Sequence, residues 1–143
     1  MSPGRPDRAL LRRHLAALDS ALRQLRTHQG RSVEELTRNL DEAWAVERGL
    51  QLCAQNALDI ATHLAASAGL DAPDYTTAID HLVGLGILPQ DFAARFRGIA
   101  GFRNVLVHAY LDVDPRRVHA LLNERLADFA EFATHVEAAL ARS

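Results

Sequence analysis

Ala45-Val46-Glu47-Arg48-Gly49-Leu50-Gln51-Leu52-Cys53-Ala54-Gln55-Asn56-Ala57-Leu58-Asp59-Ile60-Ala61-Thr62-His63-Leu64 decides the fold. Val46, Leu50, Cys53, Ala57, Ile60 and Leu64 recur at spacings of three and four, which puts them on one side of an α-helix. Leu36, Leu40 and Ala43 extend the stripe towards the N-terminus, so the pattern predicts one long helix over about 33–68. Ser32 and Glu35 have the spacing of a capping box at its start, and Gly69 closes it. Gly49 weakens the interior unless it permits close helix packing or a small bend. Trp44 and Cys53 fit the apolar stripe and call for no chemistry.

The flanks read the same way. Leu11, Leu15, Leu18, Leu22 and Leu25 predict a first helix over about 7–28, closed by Gly30. After a turn at 70–74, Asp74 is a good N-cap for a short helix reaching Leu85. Gly84, Gly86 and Pro89 break it and start a fourth helix, over about 89–108. Asp114-Pro115 is an N-cap with proline at the first helical position. The last helix then carries Val118, Leu121, Leu122, Leu126, Phe129, Phe132, Val136 and Leu140 on one stripe. Ala, Leu, Arg and Glu dominate and β-branched residues are sparse, so the fold class is all-α, a bundle of about five helices with two of them long. With 143 residues, 48% of them hydrophobic, the expectation is one domain over 1–143, with 1–6 as a flexible N-terminal tail.

Composition excludes several classes. The formal charge of −2 gives no global basic field for nucleic acid, so any such contact must come from a local cluster. All 16 basic side chains counted as Lys or Arg are Arg. A single cysteine excludes an intrachain disulfide and a cysteine-built zinc site. The N-terminal residues lack a signal-peptide pattern, and no apolar run approaches the roughly 20 residues that span a bilayer. A soluble cytoplasmic protein that makes no membrane contact is expected.

Gly101-Phe102-Arg103-Asn104-Val105-Leu106-Val107-His108-Ala109-Tyr110 carries the chemistry. Polar groups in an apolar helix cost free energy unless each finds a partner. Arg can hold a phosphate and His can move a proton near neutral pH, a minimal kit for cutting RNA without a metal. Asn104 and His108 are four apart and share a helix face. Arg103 and His108 are five apart, roughly 140° around an ideal helix. Either the helix ends or distorts near His108, or the two groups cooperate across a two-fold subunit interface. Asp59 and His63, also four apart, make at most half a metal site, and an ion pair or hydrogen bond is the simpler reading. Arg95, Arg97, Arg116, Arg117 and Arg125 could extend an RNA-binding surface or form a solvated basic face. His14, His28, His81, His119 and His135 are scattered and read as surface or cap residues.

Arg103-Asn104-x-x-x-His108-x-Tyr110 resembles the motif of the HEPN superfamily, and more closely the HepT-like toxins of the HepT/MntA (type VII) toxin–antitoxin family. The stretch 45–64 resembles that family's long helix, 74–88 its following short helix and turn, and Val113-Asp114 also fits, so the likeness spans about 10–140. The resemblance implies an all-helical fold, a homodimer or higher oligomer that buries two motifs against each other, and metal-independent cleavage of RNA, with tRNA and mRNA as candidate pools. It implies no cofactor. It also implies a partner, an MNT-type nucleotidyltransferase antitoxin that moves AMP from ATP onto the motif tyrosine, here Tyr110. The catalytic set is then Arg103, Asn104 and His108. Asn56 and Asp59 stand where the family often has polar residues, so they are candidates to line the cleft.

The chemistry is self-consistent. RNA supplies its own nucleophile, the 2′-hydroxyl. His108 of two subunits could serve as base and acid, paired Arg103 side chains could stabilise the phosphorane, and Asn104 could orient His108 or donate to a phosphate oxygen. The products would be a 2′,3′-cyclic phosphate and a 5′-hydroxyl. The alternatives are a non-catalytic HEPN module that binds nucleotide or RNA as a scaffold for the nucleotidyltransferase, and a purely structural helical dimer.

Overall fold

The structure, a computed structural model, describes residues 4–108 and 113–142, the side chains of Val107 and His108 excepted. Of the expected N-terminal tail, residues 1–3 lie outside the described residues, and 4–6 carry no regular structure. Tyr110 also lies outside them.

Every described element is helical: α1 Arg8–Arg26, α2 Val33–Arg38, α3 Leu40–Ser67, α4 Tyr75–Gly84, α5 Gln90–Phe96, α6 Gly98–His108, α7 Pro115–Ala120 and α8 Leu126–Arg142, with a π-helical turn, Leu121–Arg125, joining the last two. Side-chain caps set the starts. Asp7, Ser32, Asn39, Asp74 and Asp114 each accept a backbone N–H from the first turn of the helix that follows. Ser32 and Glu35 complete the capping box reciprocally. Gly69 and Gly86 have positive φ, 77° and 73°. At each, the glycine's own N–H and the following one turn back to bond the last turn of the helix, Gly69 to Ala66 and Leu70 to Ala65, then Gly86 to Val83 and Ile87 to Leu82. That closure needs the left-handed region, which glycine enters without strain.

Two expected helices are each divided. The long second helix breaks at Asn39, whose backbone is extended at φ −108° and ψ 97°. Its side chain accepts from Glu42 N–H, and local capping of this kind competes with the helix ladder. The stripe therefore fails at that end. Leu40 is 63% exposed and Trp44 67%, so neither belongs to the core as the periodicity predicts. The fourth helix is interrupted at Arg97, which keeps helical dihedrals, and α6 restarts at Gly98, a poor helix former. The last helix is continuous but widens at its π-helical turn. There the Leu122 carbonyl accepts from Gln29 Nε2 and Asn123 Oδ1 from Gly30 N–H, which ties down the end of α1.

α3 is the axis of the bundle, packing against α1, α2, α4, α6 and α8. Val46, Leu50, Cys53, Ala57 and Ile60 along it are fully buried or nearly so. Burial pushes the Cys53 thiol up to about 12, so it stays protonated and inert in the folded protein. On the other side of the core, Phe96 stacks on Phe92 and Phe132 and meets Phe129 edge-on. Arg95 and Arg125 converge on Asp128 over this cluster and fasten α5 to α8.

Gly49 serves close packing. A Cβ there would lie 2.6 Å from Leu25 Cδ2 and 2.9 Å from its Cγ, so α1 approaches α3 across the missing side chain. Leu25 is itself buried and cannot swing out to solvent. Gly49→Ala should destabilise the protein by about 1–2 kcal/mol, overpacking outweighing the gain in helix propensity. Urea denaturation checks this; an unchanged or raised midpoint would contradict the packing account.

Candidate functional site

Arg103 and Asn104 lie in the middle of α6, and α6 packs on α3. The Arg103 guanidinium is fixed from two sides. Its Nε donates to Gln55 Oε1 on α3 at 2.8 Å, and its Nη1 to Asn104 Oδ1 at 3.1 Å. Gln55 is held in turn. Its Nε2 donates to Asp59 Oδ1 at 2.7 Å, one helical turn along α3, and reaches the Tyr75 hydroxyl at 3.4 Å. The guanidinium carbon also stands 5.5 Å from the centre of the Tyr75 ring, a cation–π contact. An arginine tied down at Nε and Nη1 keeps its Nη2 edge, which donates to no described residue, for an incoming anion.

Tyr75 is the first residue of α4, and its position follows from Asp74. Asp74 Oδ1 accepts from Thr77 N–H at 2.7 Å, and that bond holds its carboxyl below the usual carboxylate range. The cap therefore stays ionised at neutral pH and fixes the start of α4 where Tyr75 meets Arg103. Beside this network opens a cleft of about 460 Å³, with Thr62 on one wall, Asp74 and Tyr75 on another, and Gly101 and Asn104 on α6.

The structure brings together Arg103 and Asn104 of the expected set and reaches Asp59 through Gln55. α6 continues as regular helix to His108, so positions 103 and 108 are five residues apart on one helix, about 140° around its axis. The side chain of His108 and all of Tyr110 lie outside the described residues. Asn56 is elsewhere. Its Oδ1 accepts from His14 Nδ1 at 2.8 Å while its Nδ2 donates to the Leu52 carbonyl, on the α1 side of α3. Asp59 and His63 turn to different partners, His63 Nε2 accepting from the Asp7 backbone N–H at 3.0 Å. Gln55 and Tyr75 were not singled out by the sequence. Gln55 shares an i, i+4 face with Asp59, a polar pair that could have marked the wall opposite Arg103.

The neighbouring arginines are mostly spoken for. Arg95 pairs with Asp128 and Glu131, Arg97 with Asp80, and Arg125 with Asp128. Arg117 lies 5.7 Å from the Phe102 ring centre, while Arg116 is exposed. The remaining histidines behave as surface and cap groups where partners are seen: His28 meets Glu42, His81 the Asp71 carbonyl, and His135 Glu131. Among the described residues no helix is long and apolar enough to cross a membrane.

Comparison with known proteins agrees with this architecture. The sequence model of the ribonuclease HepT-like family matches residues 18–136. A tRNA nuclease HepT from Aphanizomenon flos-aquae is 25% identical over 134 residues, covering 92% of this chain and 90% of that protein. Among solved structures, a tri-AMPylated HEPN toxin of Shewanella oneidensis in complex with an MNT antitoxin superposes with a TM-score of 0.79 at 19% identity, over 90% of this chain and 97% of that one. YutE, a cytosolic protein of unknown function from Bacillus subtilis, superposes at 0.81 with 17% identity, over 94% and 91%.

The network predicts that Gln55 positions Arg103. In Gln55→Ala, the Nε–H of Arg103 should lose its protection from solvent exchange about tenfold or more by NMR, since it loses its acceptor. Protection unchanged from wild type would remove Gln55 from the site.

Proposed function

The chain belongs to the HepT-like ribonuclease family, and on that premise we propose that it is the toxin of a toxin–antitoxin pair, an endoribonuclease that cleaves RNA without a metal ion. The observation that carries this reading is the Arg103 guanidinium, pinned by Gln55 and Asn104 with one edge left for an anion. A pinned guanidinium is preorganised for a phosphate and stabilises the extra negative charge of the phosphorane as it forms.

Positions 103 and 108 stand about 140° apart around α6, which favours cooperation between two subunits over one helix acting alone. A two-fold dimer that packs α6 against its copy supplies two of each in one cleft. One His108 takes the proton of the 2′-hydroxyl, the 2′-oxygen attacks phosphorus, and the partner's His108 protonates the departing 5′-oxygen. The products are a 2′,3′-cyclic phosphate and a 5′-hydroxyl. Asn104 bonds Arg103 and stands one turn before His108, so it links the anion-binding group to the proton-transfer group. A tRNA substrate is the first to try, since the Aphanizomenon relative is a tRNA nuclease.

Control comes from an MNT-type nucleotidyltransferase partner, the kind of antitoxin found with the AMPylated Shewanella toxin. The Tyr110 phenol oxygen attacks the α-phosphorus of ATP, pyrophosphate leaves, and a phenol-linked AMP remains. In this reading an AMP on Tyr110, two residues beyond His108 in sequence, keeps RNA from the Arg103 pair by its charge and bulk.

Incubation of the unmodified chain with total tRNA in EDTA tests the proposal. Wild type should cleave and leave cyclic-phosphate ends. Arg103→Ala and His108→Ala should each lose about a hundredfold or more in rate. Cleavage that needs added metal, or that persists in His108→Ala, would contradict the mechanism. No cleavage by any of the three would leave a nucleotide-binding scaffold as the reading.

A further inference from the structure

Gly101 sits inside α6, where glycine weakens a helix. Nothing among the described residues asks for it. Its φ is not positive, and a Cβ built on it would meet nothing within 4 Å. This is the opposite of Gly49, whose missing side chain is filled by Leu25. The space Gly101 leaves belongs to the 460 Å³ cleft beside Arg103, a volume within the roughly 300–1,000 Å³ of small-ligand sites.

The lining states the ligand's chemistry. Among the described residues of the lining there is no Arg or His to hold a phosphate. It offers instead an aromatic residue, Tyr75, and open hydrogen-bonding positions of both kinds. Asn104 uses its Oδ1 for Arg103, and its Nδ2 donates to no described residue. Thr62 gives its hydroxyl proton to the Leu58 carbonyl and keeps acceptor lone pairs. Asp74 spends Oδ1 on its cap and keeps Oδ2 as an acceptor. A ring with donors and acceptors on one edge suits this lining, and Asn104 places it one residue from the arginine that would grip the phosphate.

We infer that this cleft receives the base of the nucleotide next to the scissile phosphate and so sets where an RNA is cut. The inference rests on the ribonuclease reading for its phosphate anchor. Because a carboxylate faces the cleft, it favours bases with an exocyclic amino group, adenine, cytosine or guanine, over uracil.

The test separates the two readings by using uncharged nucleosides, which offer Arg103 no phosphate. The four ribonucleosides are titrated into the full chain while the methyl resonances of Thr62, Ala72 and Ala100 are followed by NMR. Cleavage sites on a randomised RNA pool are mapped in parallel. An amino-bearing nucleoside should shift those methyls and bind about tenfold tighter than uridine. Cuts should fall beside the same base. Gly101→Leu, which fills the cleft, should abolish the shifts and the site preference, while Gly101→Ala should keep the shifts and melt at or above the wild-type temperature. Methyls that no nucleoside moves, or cleavage indifferent to the neighbouring base, would overturn the inference even if RNA is cut. So would a Gly101→Leu protein whose only change, by sedimentation, is its oligomeric state, since the cleft would then belong to a subunit contact. Nucleoside binding without any RNA cleavage would overturn the ribonuclease reading and leave the base site standing.

Discussion

One helix has to satisfy two opposed demands. α3 buries Val46, Leu50, Cys53, Ala57 and Ile60 against its neighbours, and it must also present Gln55, backed by Asp59, to Arg103. The helical repeat reconciles them, because Gln55 and Asp59 share a face that the buried stripe does not use. The Nε bond from Arg103 to Gln55 then joins α6 to α3 at the level of the cleft. With that bond in place, the guanidinium has a direction. Without it, Arg103 is a long side chain paying rotamer entropy for each contact.

The support extends outwards in layers. Asp74 fixes the first turn of α4, α4 brings Tyr75 over the guanidinium, and Gly69 supplies the tight exit from α3 that lets α4 return beside it. Gly49 sets the close approach of α1 on another side of α3. Gln55, Tyr75 and Arg103 all stand on helices, which hold a side chain more tightly than a loop would.

Much of this was legible in the sequence. The all-α class, the caps at Ser32, Asp74 and Asp114, and the stripe from Val46 to Leu64 follow from local rules, and the structure has them. The division at Asn39 was missed because an apolar period runs straight across it, although an Asn followed by Asp41 and Glu42 is itself a helix start. Trp44 and Leu40 were misassigned for the same reason: periodicity gives a face, and it does not say whether a neighbour covers that face. That Arg103 needs partners was readable, since an arginine in an apolar run must find them. Its partners, Gln55 and Tyr75, were not, because they lie 48 and 28 positions away along the chain (103 − 55 and 103 − 75) and only the packing of α6 and α4 on α3 brings them together.

The proposed site is completed by two copies, and subunit mixing tests that most directly. Wild-type chains are exchanged with rising proportions of His108→Ala chains at constant total protein, and RNA cleavage is measured. If both His108 side chains serve one cleft, a mixed dimer is inactive and the rate falls as the square of the wild-type fraction. A rate that falls in simple proportion to that fraction would mean each chain works alone, and would contradict the composite site.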